Sequence, residues 1–333
     1  MTQEQTFRNK VNTLSAILAL LVVFFHSYAF MDGPQDNFAY HFQYFICQDL
    51  AQGAVPTFFA LSGFLFYRDF DLSQLTRKWK SRVRSLVVPY LFWNGVYTAY
   101  FWLAAKTPVV SMEAFPLDAE HLIQGIFFHT YNGPFWYMLQ LILLTALCPL
   151  LYFLMKRKWT AIPFMLCMYA LYAANITSLS ILQTRAVIYY SLGVFFAMHD
   201  PKKILGADRV PIASIAAFVL AQVLIYSNLP QPIVYITIRI LLIVAYAGLA
   251  NLFGKVSLPR VLLCSFPVYA MHDIFVETLN KVFSFFVSPQ SNLILLDFFG
   301  TTAITIAICI GINEFLSRKM PRFHTVIFGG RAR

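Results

Sequence analysis

Between Lys10 and Asp32 the chain runs NTLSAILALLVVFFHSYAF, from Asn12 to Phe30, with a single side chain that titrates near neutrality, His26. At 1.5 Å per residue, about 20 apolar residues cross the hydrocarbon of a bilayer, so this run predicts a membrane-spanning helix. An imidazole inside such a helix is costly to leave in lipid and turns toward protein. Taken alone, the run fits a histidine that only hydrogen-bonds a neighbouring helix as well as it fits a functional one.

The rest of the chain repeats the pattern. Hydrophobic residues make up 59% of it and charged residues 12%, where a soluble domain carries about a quarter charged. A polytopic, all-α membrane bundle follows, forming one domain over residues 1–333. The net charge of +10 is accounted for by basic loops held at the cytoplasmic face and not by nucleic acid. Four of the five cysteines (Cys47, Cys148, Cys167, Cys264 and Cys309) lie in apolar runs. Their spacing suits neither a disulfide framework nor a metal site, so no metal is expected. The first helix has no small-residue cleavage pattern before Asp32 and is expected to be retained.

Charge sets the topology. Arg8 and Lys10 precede the first span, and Asp32, Asp36 and Asp49 follow it. The second span, Ala51 to Tyr67, returns to Arg68 and the basic run Arg77, Lys78, Lys80, Arg82, Arg84. The third, Leu86 to Ala105, leads out to Glu113, Asp118 and Glu120. A short apolar piece, Leu122 to His129, ends at the chain break Asn132 to Pro134. The further spans are Phe135–Met155, Ala161–Thr177, Arg185–Met198, Pro211–Tyr226, Ile233–Phe253, Val261–Phe283 and Leu293–Phe315. The total is about ten helices with both termini cytoplasmic. Of the 25 Lys and Arg, all but Lys106, Arg185, Arg239 and Lys281 then fall inside, as the positive-inside rule requires.

Several segments carry a resemblance in order and spacing: NTLSAILALLVVFFHS, VPTFFALSGFLFYR from Val55, the basic loop into RSLVVPYLFWN, GPFWYML from Gly133 and SFPVYAMHD from Ser265. Together they resemble acyltransferase family 3, integral-membrane acyltransferases of about ten spans, over essentially the whole chain. The resemblance implies an acyl-CoA donor, acetyl-CoA or a relative, and a hydroxyl acceptor on a cell-envelope or exported carbohydrate or lipid-linked molecule, in the cytoplasmic (inner) membrane. It also implies a functional histidine at His26. The family commonly has an arginine on the donor side eleven residues earlier, where this chain has Ser15, about 16 Å along the same helix face.

The polar residues of the spans supply candidates. In the ninth span Ser265, Tyr269 and His272 form one stripe at i, i+4, i+7, and Asp273 and Glu277 a second. Three ionisable groups in one span exceed what packing needs. Pairing of Asp273 or Glu277 with Arg185 or Arg239 is the plainer reading of the carboxylates. Arg239 shares a face with Tyr235 and Tyr246, and its plainer reading is snorkelling to the outer surface. Ser62 and Gly63 read as close helix packing before a nucleophile. Trp136, Trp93 and Tyr97 read as belt or cavity-wall aromatics, and Asp297 has no evident partner.

Acyl transfer to a hydroxyl needs a base and donors for the developing oxyanion. Histidine suits the base role, so His26 is the expected base, with His272 and Arg239 orienting substrate or stabilising charge. Arg77, Lys78, Lys80, Arg82 and Arg84 suit the phosphates of coenzyme A, with Ser15 at the donor side. Ser62, Trp136, Tyr269, Asp273 and Glu277 are the supporting set. The competing class is a secondary transporter or flippase for an envelope precursor. Its sign would be helices broken near the midplane in two matching halves, and the sequence shows breaks only at loop-like positions.

The topology has a direct test. Reporter fusions after Lys158 and Lys203 are expected to read cytoplasmic and one after Asn228 external; an external signal from either basic loop removes the model.

Overall fold

The computed structural model describes residues 2–28, 37–107, 115–200, 210–227, 229, 231–288 and 291–330. Ala29, Phe30, Asp32, Asp36, Glu113, Lys202, Lys203, Arg209, Asn228, Pro230, Arg331 and Arg333 lie outside the described residues. The helices are α1 (Gln3–His26), α2 (Phe38–Tyr67), α3 (Leu75–Arg82), α4 (Val88–Ala104), α5 (Ala119–Phe128), α6 (Trp136–Ala146) and α7 (Cys148–Met155). They continue with α8 (Lys158–Ala173), α9 (Thr184–His199), α10 (Ile212–Ile225), α11 (Gln231–Leu249), α12 (Ser265–Phe283), α13 (Ile294–Lys319) and α14 (Pro321–Ile327). The one sheet among the described residues is a small antiparallel hairpin, β1 (Ser178–Leu179) with β2 (Leu182–Gln183).

Every apolar run expected to span coincides with a helix, but the helices differ in reach. By length and composition α1, α2, α13 and the segment Gln231–Phe253 can each cross a membrane, and the pair Gly133–Ala146 with Cys148–Met155 makes a fifth if counted as one span. The remaining helices are shorter, or, like α12, carry too many polar groups in their 19 residues. At 1.5 Å per residue a 16-residue helix reaches about 24 Å, less than the hydrocarbon thickness. Large apolar side chains such as Phe153, Leu166, Val223 and Leu296 stand exposed on the helices, as lipid-facing positions do.

Two expectations need correction. The second span begins at Phe38 and not Ala51, because Asn37 caps it by accepting from the Tyr40 amide. The added turns are held by the Cys47 thiol on the Phe24 carbonyl at 3.3 Å and by Phe42 against Phe299. Asp49, grouped with the outer loop from sequence, is therefore fully buried in a π turn, Phe45–Leu50. The fourth span is broken, with α6 and α7 meeting at 70°. Pro149, in the first turn of α7, has no amide hydrogen to give to the carbonyl four residues earlier. That carbonyl, of Thr145, accepts the Trp79 indole at 2.9 Å instead, and the Cys148 carbonyl accepts the Tyr67 hydroxyl at 3.0 Å.

The chain forms two compact units. The first comprises Met1–Leu18, Gln52–Trp79 and Gln140–Pro259. Here the 54–67 half of α2 packs along α9 through two glycines. A Cβ on Gly63 would strike the backbone carbonyl of Tyr190, and one on Gly193 the backbone of Ala60. Sequence reasoning assigned Ser62-Gly63 to packing, and that is what Gly63 does. A second apolar seam joins α10 and α11 through Ala221, Val234, Ile238 and Leu242. Lys10 is 2% exposed, its ammonium donating to Asn251 at 3.0 Å, so it anchors α1 and is not a free cation on the surface.

The second unit comprises Ala19–Ala51, Lys80–Leu139 and Arg260–Arg333. In it α4 and α5 are tied by Tyr90 donating to the Phe127 carbonyl at 2.8 Å and Asn94 to that of Ile126 at 3.0 Å. The short apolar piece after the third span is α5, capped at its start by Asp118 and ended by His129 at φ 51°. The amphipathic α14 closes on α4, where the Trp93 indole donates to the Ile327 carbonyl at 3.0 Å. Trp93 is thus a packing residue. Asp297, without an evident partner in the sequence, accepts from Thr301 at 2.9 Å.

The glycine seam is testable by thermal unfolding in detergent. Gly193→Ala presses a methyl group onto backbone that cannot rotate away, for a loss of about 1–3 kcal/mol, and is expected to lower the midpoint. Gly311→Ala, in α13 with no atom within 4 Å of the added carbon, is expected to leave it unchanged or raise it. Equal midpoints would remove close packing as the reason for Gly193.

Candidate active site

In the second unit His26 of α1 meets His272 and Asp273 of α12. His26 is the last residue of α1. Its Nδ1 lies 3.2 Å from Asp273 Oδ1. Its ring also meets that of His272 edge-on at 4.9 Å between centroids. From sequence His272 and Asp273 occupy separate stripes of α12, yet adjacent residues on a helix differ by only about 100°, and both reach the end of α1.

The two histidines are held differently. His272 is fully buried; its Nδ1 lies 2.8 Å from the Tyr269 carbonyl, which can only accept. Nδ1 therefore carries the proton and Nε2 the lone pair. That Nε2 is buried without a hydrogen-bond partner. His26 keeps 29% of its side chain exposed while Asp273 keeps 11%. The carboxylate accepts from Nδ1 of His26, which leaves Nε2 of the more accessible ring as a proton acceptor.

The wall behind these groups is aromatic. Tyr269 donates to the Pro134 carbonyl at 2.6 Å and stacks on Phe135 at 5.4 Å, while Tyr137 meets it edge-on at 5.7 Å. The turn Gly133–Phe135 thereby fixes both α12 and the start of α6, whose first residue is the half-buried Trp136. Tyr97 packs near Phe135 and lies within electrostatic reach of Asp273. Pro134, Phe135 and Tyr137 were missed as site residues. The signal was the GPFWYML segment itself, in which only Trp136 is singled out by polarity.

Glu277 is one turn beyond Asp273, its side chain exposed and within electrostatic reach of both Asp273 and His26. The other expected residues fall elsewhere. Arg239, in the first unit, is 7% exposed and does not snorkel. It donates to Gln52 at 2.6 Å and to the Tyr235 carbonyl at 3.1 Å, its guanidinium 3.2 Å from the Tyr235 ring centroid. Arg185 donates to Gln183 at 2.8 Å and toward the Tyr235 hydroxyl at 3.4 Å. Ser15 is half-buried in α1, and Ser62 half-buried beside Gly63. In the basic segment Lys78 is committed, donating to the Phe66 carbonyl and lying over the Phe66 and Phe70 rings. Arg77, Lys80 and Arg84 are exposed, and Arg82 is half-buried.

An imidazole–carboxylate cluster in a bundle of apolar helices, several of them long enough to cross a bilayer, marks the class as a helical membrane protein. The particular kind follows from the comparison with known families: the chain matches the acyltransferase domain of acyltransferase family 3 over residues 8–314 and belongs to that family. No curated protein and no solved structure matches it.

Proposed function

We propose that this membrane acyltransferase moves an acyl group, of acetyl size, from acyl-CoA to a hydroxyl of a carbohydrate or lipid-linked acceptor of the cell envelope, in the cytoplasmic membrane. The observation that carries the reading is the His26–Asp273 contact. Nε2 of His26 takes the acceptor's hydroxyl proton as its oxygen attacks the thioester carbonyl. Asp273 holds the ring in the right tautomer and stabilises the imidazolium that forms. Coenzyme A then leaves as the thiol, with the proton returned to sulfur. His272 orients the His26 ring that meets the acceptor by packing edge-on against it, and Tyr269 positions His272 through its carbonyl. Arg239, which the sequence offers as a charge-stabilising group, belongs to the first unit, where Gln52 and Tyr235 hold its guanidinium. No metal is required by these steps. On the donor side Arg77, Lys80 and Arg84 suit the phosphates, being exposed and spaced i, i+3, i+7.

The bend between α6 and α7 is the one observation that favours a transporter, whose helices break to expose backbone to an ion. Here Pro149 accounts for the break, and the Trp79 indole donates to the Thr145 carbonyl that it frees. The acyltransferase reading stands.

With purified protein in detergent, His26→Gln keeps a polar side chain that cannot accept a proton at neutral pH. It is expected to lower turnover about a hundredfold or more, with correct insertion. Asp273→Asn should lower turnover in the same direction through the wrong tautomer. Near wild-type rates in His26→Gln would remove histidine from the base role. On the donor side, replacing Arg77, Lys80 and Arg84 by Gln is expected to raise KM for acyl-CoA more than it lowers kcat; unchanged donor kinetics would leave these residues to membrane orientation alone.

A further inference from the structure

We infer that His26, His272 and Asp273 also form a binding site for a divalent transition-metal cation of the zinc class, which inhibits transfer by occupying the base. No cysteine spacing or histidine motif in the sequence points to such a site; it arises only where α1 and α12 meet.

Three observations carry it. The nitrogen and oxygen donors of the three side chains all lie within 4.8 Å of one another. The His26 Nδ1 to Asp273 Oδ1 distance is 3.2 Å, close to the edge of about 3.3 Å of a tetrahedron with metal–ligand bonds of about 2.0–2.1 Å. The third observation is His272 Nε2, a lone pair in a fully buried side chain with no hydrogen-bond partner. Its other nitrogen is fixed by the Tyr269 carbonyl at 2.8 Å, the outer-shell arrangement that metal-binding histidines use to hold tautomer and orientation.

Two imidazoles and one carboxylate suit zinc, cobalt(II) or iron(II) better than calcium or magnesium, which prefer oxygen. The partial exposure of His26, 29% of its side chain, gives a fourth position to water, as in three-ligand zinc sites. Inhibition follows from proton bookkeeping. A neutral imidazole has one ring proton. A cation on Nδ1 of His26 places that proton on Nε2, so the nitrogen that would accept from the acceptor hydroxyl already carries a hydrogen. The binding half of this inference stands on the geometry alone, whereas the inhibitory half rests on His26 being the base.

The test uses the full chain, purified in detergent and stripped with EDTA. Cobalt(II) titration is expected to give one equivalent of visible d–d absorption with no thiolate charge-transfer band. X-ray absorption at the zinc edge of the zinc-loaded wild type, which needs no variant, should show imidazole and oxygen ligands and no sulfur. Asp273→Asn and His272→Gln, each checked for monodispersity, should each weaken cobalt binding at least tenfold. Zinc should inhibit transfer by the wild type, and EDTA should reverse it. Failure to bind one cobalt, sulfur in the zinc spectrum, or wild-type affinity in both variants would overturn the site. Binding without inhibition, in a protein that His26→Gln inactivates, would overturn the inhibitory half. An active His26→Gln protein would overturn the base assignment while the cobalt spectrum still reported on the site.

Discussion

A carboxylate on a helix of membrane length cannot be left without a partner, because no water is at hand to solvate it. Asp273 meets this constraint through His26, 3.2 Å away, and much of the second unit is arranged so that the two can meet. The end of α1 has to reach α12, and Phe24 of α1 packs on Phe298 and Phe299 of α13. The extended start of α2 secures that same end through Cys47. On the other side α12 is fixed by Tyr269, whose hydroxyl and ring both engage the turn before α6. The removal of a single contact in this chain would leave a charge in apolar surroundings, which is why the polar groups here are coupled and not individually replaceable.

The first unit solves a different problem. Hydrophobic burial does not drive helices together in lipid, so backbone approach and hydrogen bonds have to do so. Gly63 and Gly193 let α2 and α9 approach until main chain meets main chain. At the Pro149 break, the Thr145 carbonyl that loses its helical donor is taken up by the Trp79 indole. Arg239 follows the same rule, its guanidinium neutralised in part by the Tyr235 ring and fully occupied in two of its donor directions.

Much of this was legible in the sequence for physical reasons that can be named. Apolar length locates helices well, because the bilayer enforces it, and each expected apolar run is helical, the fourth as two helices bent by 70°. His26 and His272 stood out because imidazoles are rare in apolar runs. What was not legible came from contacts between distant residues. Asp273 sits at a different helical angle from His272, so a periodic reading separates two groups that the end of α1 brings together. Pro134 and Phe135 contribute a carbonyl and a ring face, neither of which announces itself by polarity. Lys10 and Lys78 looked like free loop cations because nothing in their neighbourhood in sequence reveals Asn251 or the Phe66 carbonyl. Asp49 looked like a loop residue because the helix that buries it starts from a cap, Asn37, that resembles a turn residue.

The two histidines illustrate how position on a helix decides chemistry. His272 lies within a continuous helix, fully buried, with a backbone carbonyl holding one nitrogen; its protonation pattern is fixed by the fold. His26 closes its helix, is partly accessible, and has its tautomer set by a side chain that can itself shift. A partly exposed ring with a carboxylate behind it can pick up a proton and give it back without moving the backbone. A fully buried ring held at one nitrogen by the backbone cannot do so at comparable cost. The difference in burial, more than the identity of the residue, therefore makes His26 the more accessible proton acceptor and His272 the more rigidly held ring.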